Sequence, residues 1–167
     1  MDVTIERGRP TQRDALAQLI QLYVHDFSEF WDDAHCVEIG EDGRFPPFPH
    51  LDDYWTEPDR GVWFVRVDGA LAGFALINAH AFSGEPVDFN IGEFFVARRY
   101  RRRGVGARAL ALLLAALPGR WELSVWSRNA PALAFWPRAL ALAEIADLEI
   151  LTNPSAWDGP IFRFVSS

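Results

Sequence analysis

The chain has little cysteine and no lysine: Cys36 stands alone in 167 residues, and all sixteen basic side chains are arginine. One cysteine cannot form an internal disulfide, which argues against a disulfide-stapled secreted domain. No apolar run approaches the roughly 20 residues of a membrane-spanning helix. The opening stretch, MDVTIERGRPTQRDA, lacks the apolar core of a signal peptide. Together these absences predict a cytoplasmic protein that does not bind membranes.

Apolar residues make up half of the sequence, which is enough for a sizeable core. We expect a single domain over residues 1–167. The net charge is −7, and it is unevenly distributed. Eleven acidic residues and one basic residue lie between Asp26 and Asp59, whereas six arginines and no acid lie between Arg98 and Arg108. One region should therefore repel anions and the other attract them.

Hydrophobic periodicity predicts alternating helices and strands. Thr11 is the expected N-cap of a first helix, with Asp14 as its capping-box acid. Asp68-Gly69 between two apolar runs predicts a hairpin. The predicted strands are Val3–Glu6, Gly61–Val67, Ala70–Ile77, Val87–Val96, Arg120–Trp126, Glu144–Leu151 and Pro160–Val165. The later helices are Ala107–Leu117 and Ala130–Leu142, the second interrupted and kinked at Pro137. This order predicts an α/β fold with a mixed α+β sheet.

The most informative stretch is a strand, a basic glycine-containing turn and a helix, between Asp88 and Leu117. Gly104 and Gly106 allow a tight turn whose backbone is exposed. The positive end of the following helix and its unpaired N–H groups would point at one spot. Arginines surround that spot, and their planar groups suit phosphate oxygens. The pattern predicts a phosphate site for a nucleotide-like ligand.

Two motifs in the chain resemble those of the GNAT N-acetyltransferases. Arg101-x-x-Gly104-x-Gly106 after a strand end is similar to the family's acyl-CoA motif. Asn129-x-x-Ala132-x-x-Phe135-Trp136 is similar to its N-x-x-A-x-x-[LF]-Y helix. The resemblance implies the GNAT-type acyltransferase fold, with a central, mostly antiparallel sheet, one parallel pair of strands that splay apart, and flanking helices.

The resemblance also implies which residues hold acetyl-CoA, the expected co-substrate. Backbone N–H groups between Arg101 and Gly106 would take the pyrophosphate. The Val96 N–H would donate to the thioester oxygen and stabilise negative charge there. The implied cofactor-binding residues are Phe94, Phe95, Val96, Arg101, Arg102, Arg103, Gly104, Val105, Gly106, Asn129 and Phe135. Asn129 can also serve as a helix N-cap, and both roles can hold at once.

Glu93 and Trp136 bear on catalysis. A carboxylate in an apolar strand needs a reason, because its burial is costly without a partner. Glu93 is either a general base for the substrate ammonium or one half of a salt bridge. Trp136 stands where many members of the family have a tyrosine that protonates the departing thiolate. An indole N–H is no practical acid at neutral pH, so Tyr23, Tyr100 or a water would have to replace it.

The acidic first half is where the family binds its acceptor. The residues expected to attract a cationic amine or pack against it are Asp26, Glu29, Asp32, Asp33, Glu38, Glu41, Asp42, Trp31, Phe45, Phe48, Tyr54 and Trp55. The alternative for most of them is a solvated loop with a few core aromatics. His25, His35, Cys36 and His50 match no zinc spacing, so we expect no metal.

The sequence thus favours an acetyl-CoA-dependent N-acetyltransferase that acts on a primary amine of a small molecule or peptide by direct attack in a ternary complex. Two alternatives stay open: a non-catalytic acyl-CoA-binding protein with a degenerate GNAT active site, and an arginine-rich nucleic-acid module. The acidic net charge disfavours the second, so no nucleic-acid partner is expected. The oligomeric state, a homodimer included, is left open.

Overall fold

A computed structural model describes residues 1–31, 37–145, 147–152 and 154–167. Its helices are α1 (Arg13–Phe27), α2 (Asp53–Thr56), α3 (Val105–Ala116) and α4 (Ala130–Leu142), with 3-10 turns at Pro10–Gln12 and Arg98–Tyr100. Its strands are β1 (Val3–Arg7), β2 (Gly61–Val67), β3 (Ala70–Asn78), β4 (Phe89–Val96), β5 (Gly119–Ser124), β6 (Glu149–Leu151) and β7 (Ile161–Ser166). The predicted mixed α/β fold is confirmed.

These strands form one sheet in the order β1-β2-β3-β4-β5-β7-β6. β4 and β5 are parallel, because α3 crosses between them, and the other described pairs are antiparallel. Asp68 and Gly69 join β2 to β3 with φ of 49° and 81°, as a two-residue primed turn requires.

The parallel pair separates along its length. β5 pairs with β4 only at Phe89–Ile91, although β4 continues to Val96. The second half of β4 therefore has β3 on one side and no β5 partner on the other. This opening between two parallel strands is the feature on which the site is built.

Apolar side chains pack on both faces of the sheet. On one face, α3 and α4 bury Leu110, Leu113 and Leu140 against Ile91 and Trp121. On the other, α1 buries residues at helical spacing against β2, β3 and β4; they are Leu16, Leu19, Ile20, Tyr23 and Val24. Residues that alternate along β4 thus face two different helix layers.

Several predicted boundaries are wrong. Thr11 is not an N-cap: Pro10 starts a 3-10 turn, and the Gln12 side chain accepts a 2.9 Å bond from the Arg9 N–H before α1 begins at Arg13. The last predicted strand before β7 shortens to β6, because Glu144 adopts a φ of 55° as α4 ends. Ala146, within that predicted strand, lies outside the described residues.

Among the residues that the structure describes, none of the helices combines the length and apolar character needed to cross a bilayer.

Candidate active site

The open edge of β4 exposes backbone groups. Ala97 donates its N–H to Ala72 on β3 at 2.8 Å, and Val96 is paired with Gly73. In an antiparallel ladder, peptide groups alternate in direction, so the N–H and C=O of Val96 face away from β3. The same alternation turns the Phe94 N–H toward this edge. The amides of Phe94 and Val96 therefore line the opening, whereas the amide of Phe95, which was also predicted to bind the cofactor, faces β3.

Arg101 is anchored to this edge rather than directed at a phosphate. Its Nε donates to the Val96 carbonyl at 2.6 Å, and its guanidinium pairs with Asp26 at the end of α1. The same guanidinium lies 5.5 Å from the centre of the Phe95 ring. Arg98 also reaches Asp26, at 2.8 Å. Asp26 therefore ties α1 to the turn after β4, and its charge is already neutralised.

The glycine turn lies directly beyond. Gly104 precedes α3 with a left-handed φ of 77°, which glycine adopts without strain. A side chain built there would meet no atom within 4 Å, so the turn opens onto free space. The first backbone bond of α3 runs from Arg108 to Gly104, leaving the amides of Val105, Gly106 and Ala107 at the free helix end. Arg102 and Arg103 are exposed beside them, and within the described part of the chain neither forms an ion pair.

The second motif supports the first. Phe135 on α4 packs under the turn, where a Cβ on Gly106 would come within 3.0 Å of its ring. Phe135 also stacks on Phe94, with ring centres 6.0 Å apart. Asn129 accepts a 3.1 Å bond from the Ala132 N–H, so its side chain caps α4. The N-cap role of Asn129 is therefore the one present here.

Trp136 belongs to the core. It is 6% exposed and meets Phe94 edge-on at 5.3 Å. This ring packs between α4 and β4.

Glu93 lies on the α1 face of β4, half-buried, and accepts a hydrogen bond from the Tyr23 hydroxyl. Burial raises the pKa of Glu93 to about 7, although the Tyr23 bond opposes this. Burial and the Glu93 charge raise the pKa of Tyr23 well above its usual value, so this phenol keeps its proton. In the described part of the chain Glu93 forms no salt bridge, which leaves a carboxyl group able to exchange a proton near neutral pH.

Replacing Tyr23 with phenylalanine tests this pair. Tyr23→Phe removes a hydrogen bond that favours the charged carboxylate, so we expect the pKa of Glu93 to rise above about 7. A carbon-detected NMR titration of the Glu93 carboxyl measures it. Tyr100→Phe is the matched control and should leave the titration unchanged. An unchanged or lower pKa in Tyr23→Phe would show that the two side chains do not interact in solution.

The raised pKa also predicts a pH dependence of stability. Glu93 binds its proton more tightly in the folded than in the unfolded chain, so the free energy of unfolding falls as the pH rises from 4.5 to about 7. The decrease due to Glu93 is at most about 3 kcal/mol. Denaturant unfolding of wild type and Glu93→Gln at pH 4.5 and 8 should show Glu93→Gln losing less stability at the higher pH. An equal loss in both proteins would mean that Glu93 is not buried in this way.

A polar group next to Glu93 was missed by sequence reasoning. Asn78 and Asn90, at the paired ends of β3 and β4, are 9% and 2% exposed. The Asn78 amide donates to the Tyr54 hydroxyl at 2.8 Å. Tyr54 was predicted to touch the acceptor, but the asparagines were not considered. Their signal was present: two amides in otherwise apolar strands, where a buried polar side chain needs partners.

The predicted acidic acceptor region is only partly available. Asp26 is paired with two arginines, Asp53 lies 3.1 Å from His50, and Asp52 lies 3.5 Å from Arg13. Glu29, Glu38, Glu41 and Asp42 are exposed. Phe45, Phe48 and Trp55 pack against the α1 core, whereas Trp31 is half-buried beside Phe27. Asp32, Asp33, His35 and Cys36 lie outside the described residues, and the remaining described residues contain no cluster suited to a metal.

Comparison with known protein families identifies the one to which this sequence is similar. The acetyltransferase (GNAT) family model matches residues 16–141. Comparison with curated protein sequences found no significant match.

Similar solved structures extend over nearly the whole chain. A GNAT-family acetyltransferase from Streptococcus agalactiae is 15% identical with a TM-score of 0.68, covering 99% of this chain and 96% of that one. The PaiA N-acetyltransferase from Thermoplasma acidophilum, solved with coenzyme A, is 10% identical with a TM-score of 0.61, covering 99% of each chain. The ribosomal-protein-S18-alanine N-acetyltransferase from Escherichia coli is 15% identical with a TM-score of 0.59, covering 99% of this chain and 95% of that one. At these identities the likeness shows the fold. The match over residues 16–141 confirms the resemblance seen in the two motifs: the chain belongs to the GNAT acetyltransferase family.

Proposed function

We propose that this protein is an acetyl-CoA-dependent N-acetyltransferase that transfers an acetyl group to a primary amine of a small molecule or peptide by direct attack in a ternary complex. Family membership supports acyl transfer in general. The observation that carries the finer proposal is the position of Glu93, a carboxyl group with a pKa of about 7, beside the unpaired edge of β4.

The residues fit the co-substrate. The amides of Val105 and Gly106 are unpaired at a helix N-terminus, and the space in front of Gly104 is open. This arrangement suits a pyrophosphate, with Arg102 and Arg103 available for further phosphate oxygens. The Phe94 and Val96 amides continue the line toward Glu93, where an extended thioester arm would pair with them. When bound, acetyl-CoA supplies an activated acyl group.

The reaction removes two protons from the substrate nitrogen and exchanges a C–S bond for a C–N bond. The substrate ammonium gives its proton to the Glu93 carboxylate, directly or through water. The amine then attacks the acyl carbon, a C–N bond forms, and the C–S bond breaks with its electron pair going to sulfur. The nitrogen is cationic after the attack and loses its second proton to solvent. The unpaired β4 amides stabilise negative charge on the acyl oxygen. Trp136 supplies no proton to the thiolate, which takes one from water or leaves as the anion.

A second candidate is a protein that binds acyl-CoA without turning it over. The burial of Trp136, where many relatives have tyrosine, is the observation that favours it. Calorimetry with acetyl-CoA and thiol release over a panel of amines separate the two. The proposal expects binding together with amine-dependent thiol release. Binding without release for every amine would favour the second candidate.

Three further properties remain predictions: a single domain over residues 1–167, a cytoplasmic location, and the absence of nucleic-acid and membrane partners.

A further inference from the structure

The strand that carries Glu93 has a bulge one residue earlier. Leu76 pairs with Glu93 and Ile77 pairs with Ile91, so Gly92 has no partner on β3. Gly92 is exposed, and a Cβ there would lie 2.8 Å from the Asn78 amide nitrogen and 3.1 Å from the Tyr54 hydroxyl. A side chain at residue 92 would therefore displace the Asn78 amide and crowd the Tyr54 hydroxyl. The bulge also brings Asn90 and Glu93 to the same face.

The hydrogen bonds around Gly92 have fixed directions. The backbone N–H of His80 donates to Asn78 Oδ1 at 2.8 Å, which identifies that atom as the oxygen. Asn78 Nδ2 must then donate to the Tyr54 hydroxyl, at 2.8 Å. Asn90 Nδ2 also donates to Asn78 Oδ1, at 3.1 Å. One backbone donor thus sets the orientation of both side-chain amides.

Two hydrogen-bonding positions remain after this count. Tyr54 accepts from Asn78 and also interacts with the Arg60 guanidinium, which can only donate, so the Tyr54 O–H is still a donor. Asn90 Oδ1 is an acceptor that has no hydrogen-bond partner among the described residues, on a side chain that is 2% exposed. A buried oxygen left unpaired costs free energy, and each such atom calls for an explanation. The Tyr54 donor and the Asn90 acceptor both adjoin the Asn78 amide. A single ligand group that can accept one hydrogen bond and donate another can therefore pair with both.

We infer that Tyr54 and Asn90 form a polar subsite for the acceptor, which binds a carboxamide or hydroxyl group carried next to the substrate amine. The inference rests on the proposed function, because Glu93 must receive the amine for the neighbouring group to reach Tyr54. Burial raises the pKa of Tyr54, and the Glu93 charge adds to this, so the hydroxyl remains a donor at neutral pH. A plain alkylamine leaves Asn90 Oδ1 unpaired, and the protein should therefore prefer amino amides or amino alcohols.

The test uses two acceptors of matched shape, alaninamide and 1,2-dimethylpropylamine, in which an isopropyl group replaces the carboxamide. Their amines differ in basicity. We therefore take the ratio of kcat/KM for the two acceptors in wild type and divide it by the same ratio in Tyr54→Phe. The difference in amine basicity cancels in this quotient. We expect Tyr54→Phe to lower the preference for alaninamide about 10- to 100-fold, because it removes the donor. Far-UV circular dichroism and an unchanged affinity for coenzyme A show that the variant is folded. Tyr100→Phe, the control, should keep the wild-type ratio.

A binding measurement gives an answer that does not depend on turnover. Alaninamide is titrated by calorimetry into protein saturated with coenzyme A, which carries no acetyl group. Weaker binding to Tyr54→Phe than to wild type supports the subsite. Equal ratios or equal affinities in the two proteins overturn it, and would mean that a fixed water satisfies Asn90. Absence of thiol release from wild type with every amine is a separate result, which counts against the proposed function.

Discussion

Gly104→Glu is expected to lower the affinity for coenzyme A at least about 100-fold. The glutamate would project into the open space before α3 and place a negative charge where the amides of Val105 and Gly106 await a diphosphate. The introduced carboxylate would also accept hydrogen bonds from those amides, which would then no longer be available to the ligand. The left-handed φ of 77° costs a non-glycine residue about 1–2 kcal/mol, which a folded domain can tolerate. Calorimetry with coenzyme A measures the loss.

Gly104→Asn is the matched control. Asparagine adopts the left-handed conformation more readily than most residues and adds no charge. Most of the affinity should survive in Gly104→Asn. If Gly104→Glu is folded and binds as tightly as wild type, the turn is not the phosphate site.

Glu93→Gln is expected to lower kcat by a factor of about 10² to 10⁴, the usual contribution of a positioned general base. The pH profile of wild-type kcat/KM should have an ascending limb with a pKa of about 7, because the Glu93 carboxylate must be ionised to accept the proton. That limb should vanish in Glu93→Gln, since glutamine does not titrate. The amide keeps an oxygen for the Tyr23 hydroxyl, so the packing around it should persist.

Initial rates of thiol release between pH 5 and 9 measure both effects. The affinity for coenzyme A serves as the internal control and should be similar in Glu93→Gln. A variant with wild-type rates and an unchanged limb would remove Glu93 as the base. The proton would then leave by another route.

The sequence was informative where a local pattern has one structural solution. Gly104 and Gly106 after an apolar strand predicted the turn, and the left-handed φ at Gly104 shows why glycine is needed there. The Asp68-Gly69 hairpin has the same origin. Helix α4 was predicted from Ala130 to Leu142 and has those ends, although it runs through Pro137 without the predicted interruption. In each case the residues that determine the structure are close to it in the sequence.

Long-range pairings could not be read in this way. Arg101 was predicted to face phosphate, but it binds Val96 and Asp26, which lies 75 positions away. Arginine is equally suited to both partners, and the charge pattern does not say which one the fold brings near. Asn78 and Asn90 meet only because β3 and β4 pair in one register around the Gly92 bulge. A bulge shifts which side chains share a face, and no periodicity in the sequence marked it.

A crystal structure of the protein with acetyl-CoA tests most directly whether the unpaired half of β4 and the turn before α3 form one continuous site. We expect the diphosphate against the amides of Val105 and Gly106, the arm along Phe94 and Val96, and the thioester beside Glu93. Acetyl-CoA bound elsewhere, with β4 closed by the protein's own groups, would contradict it.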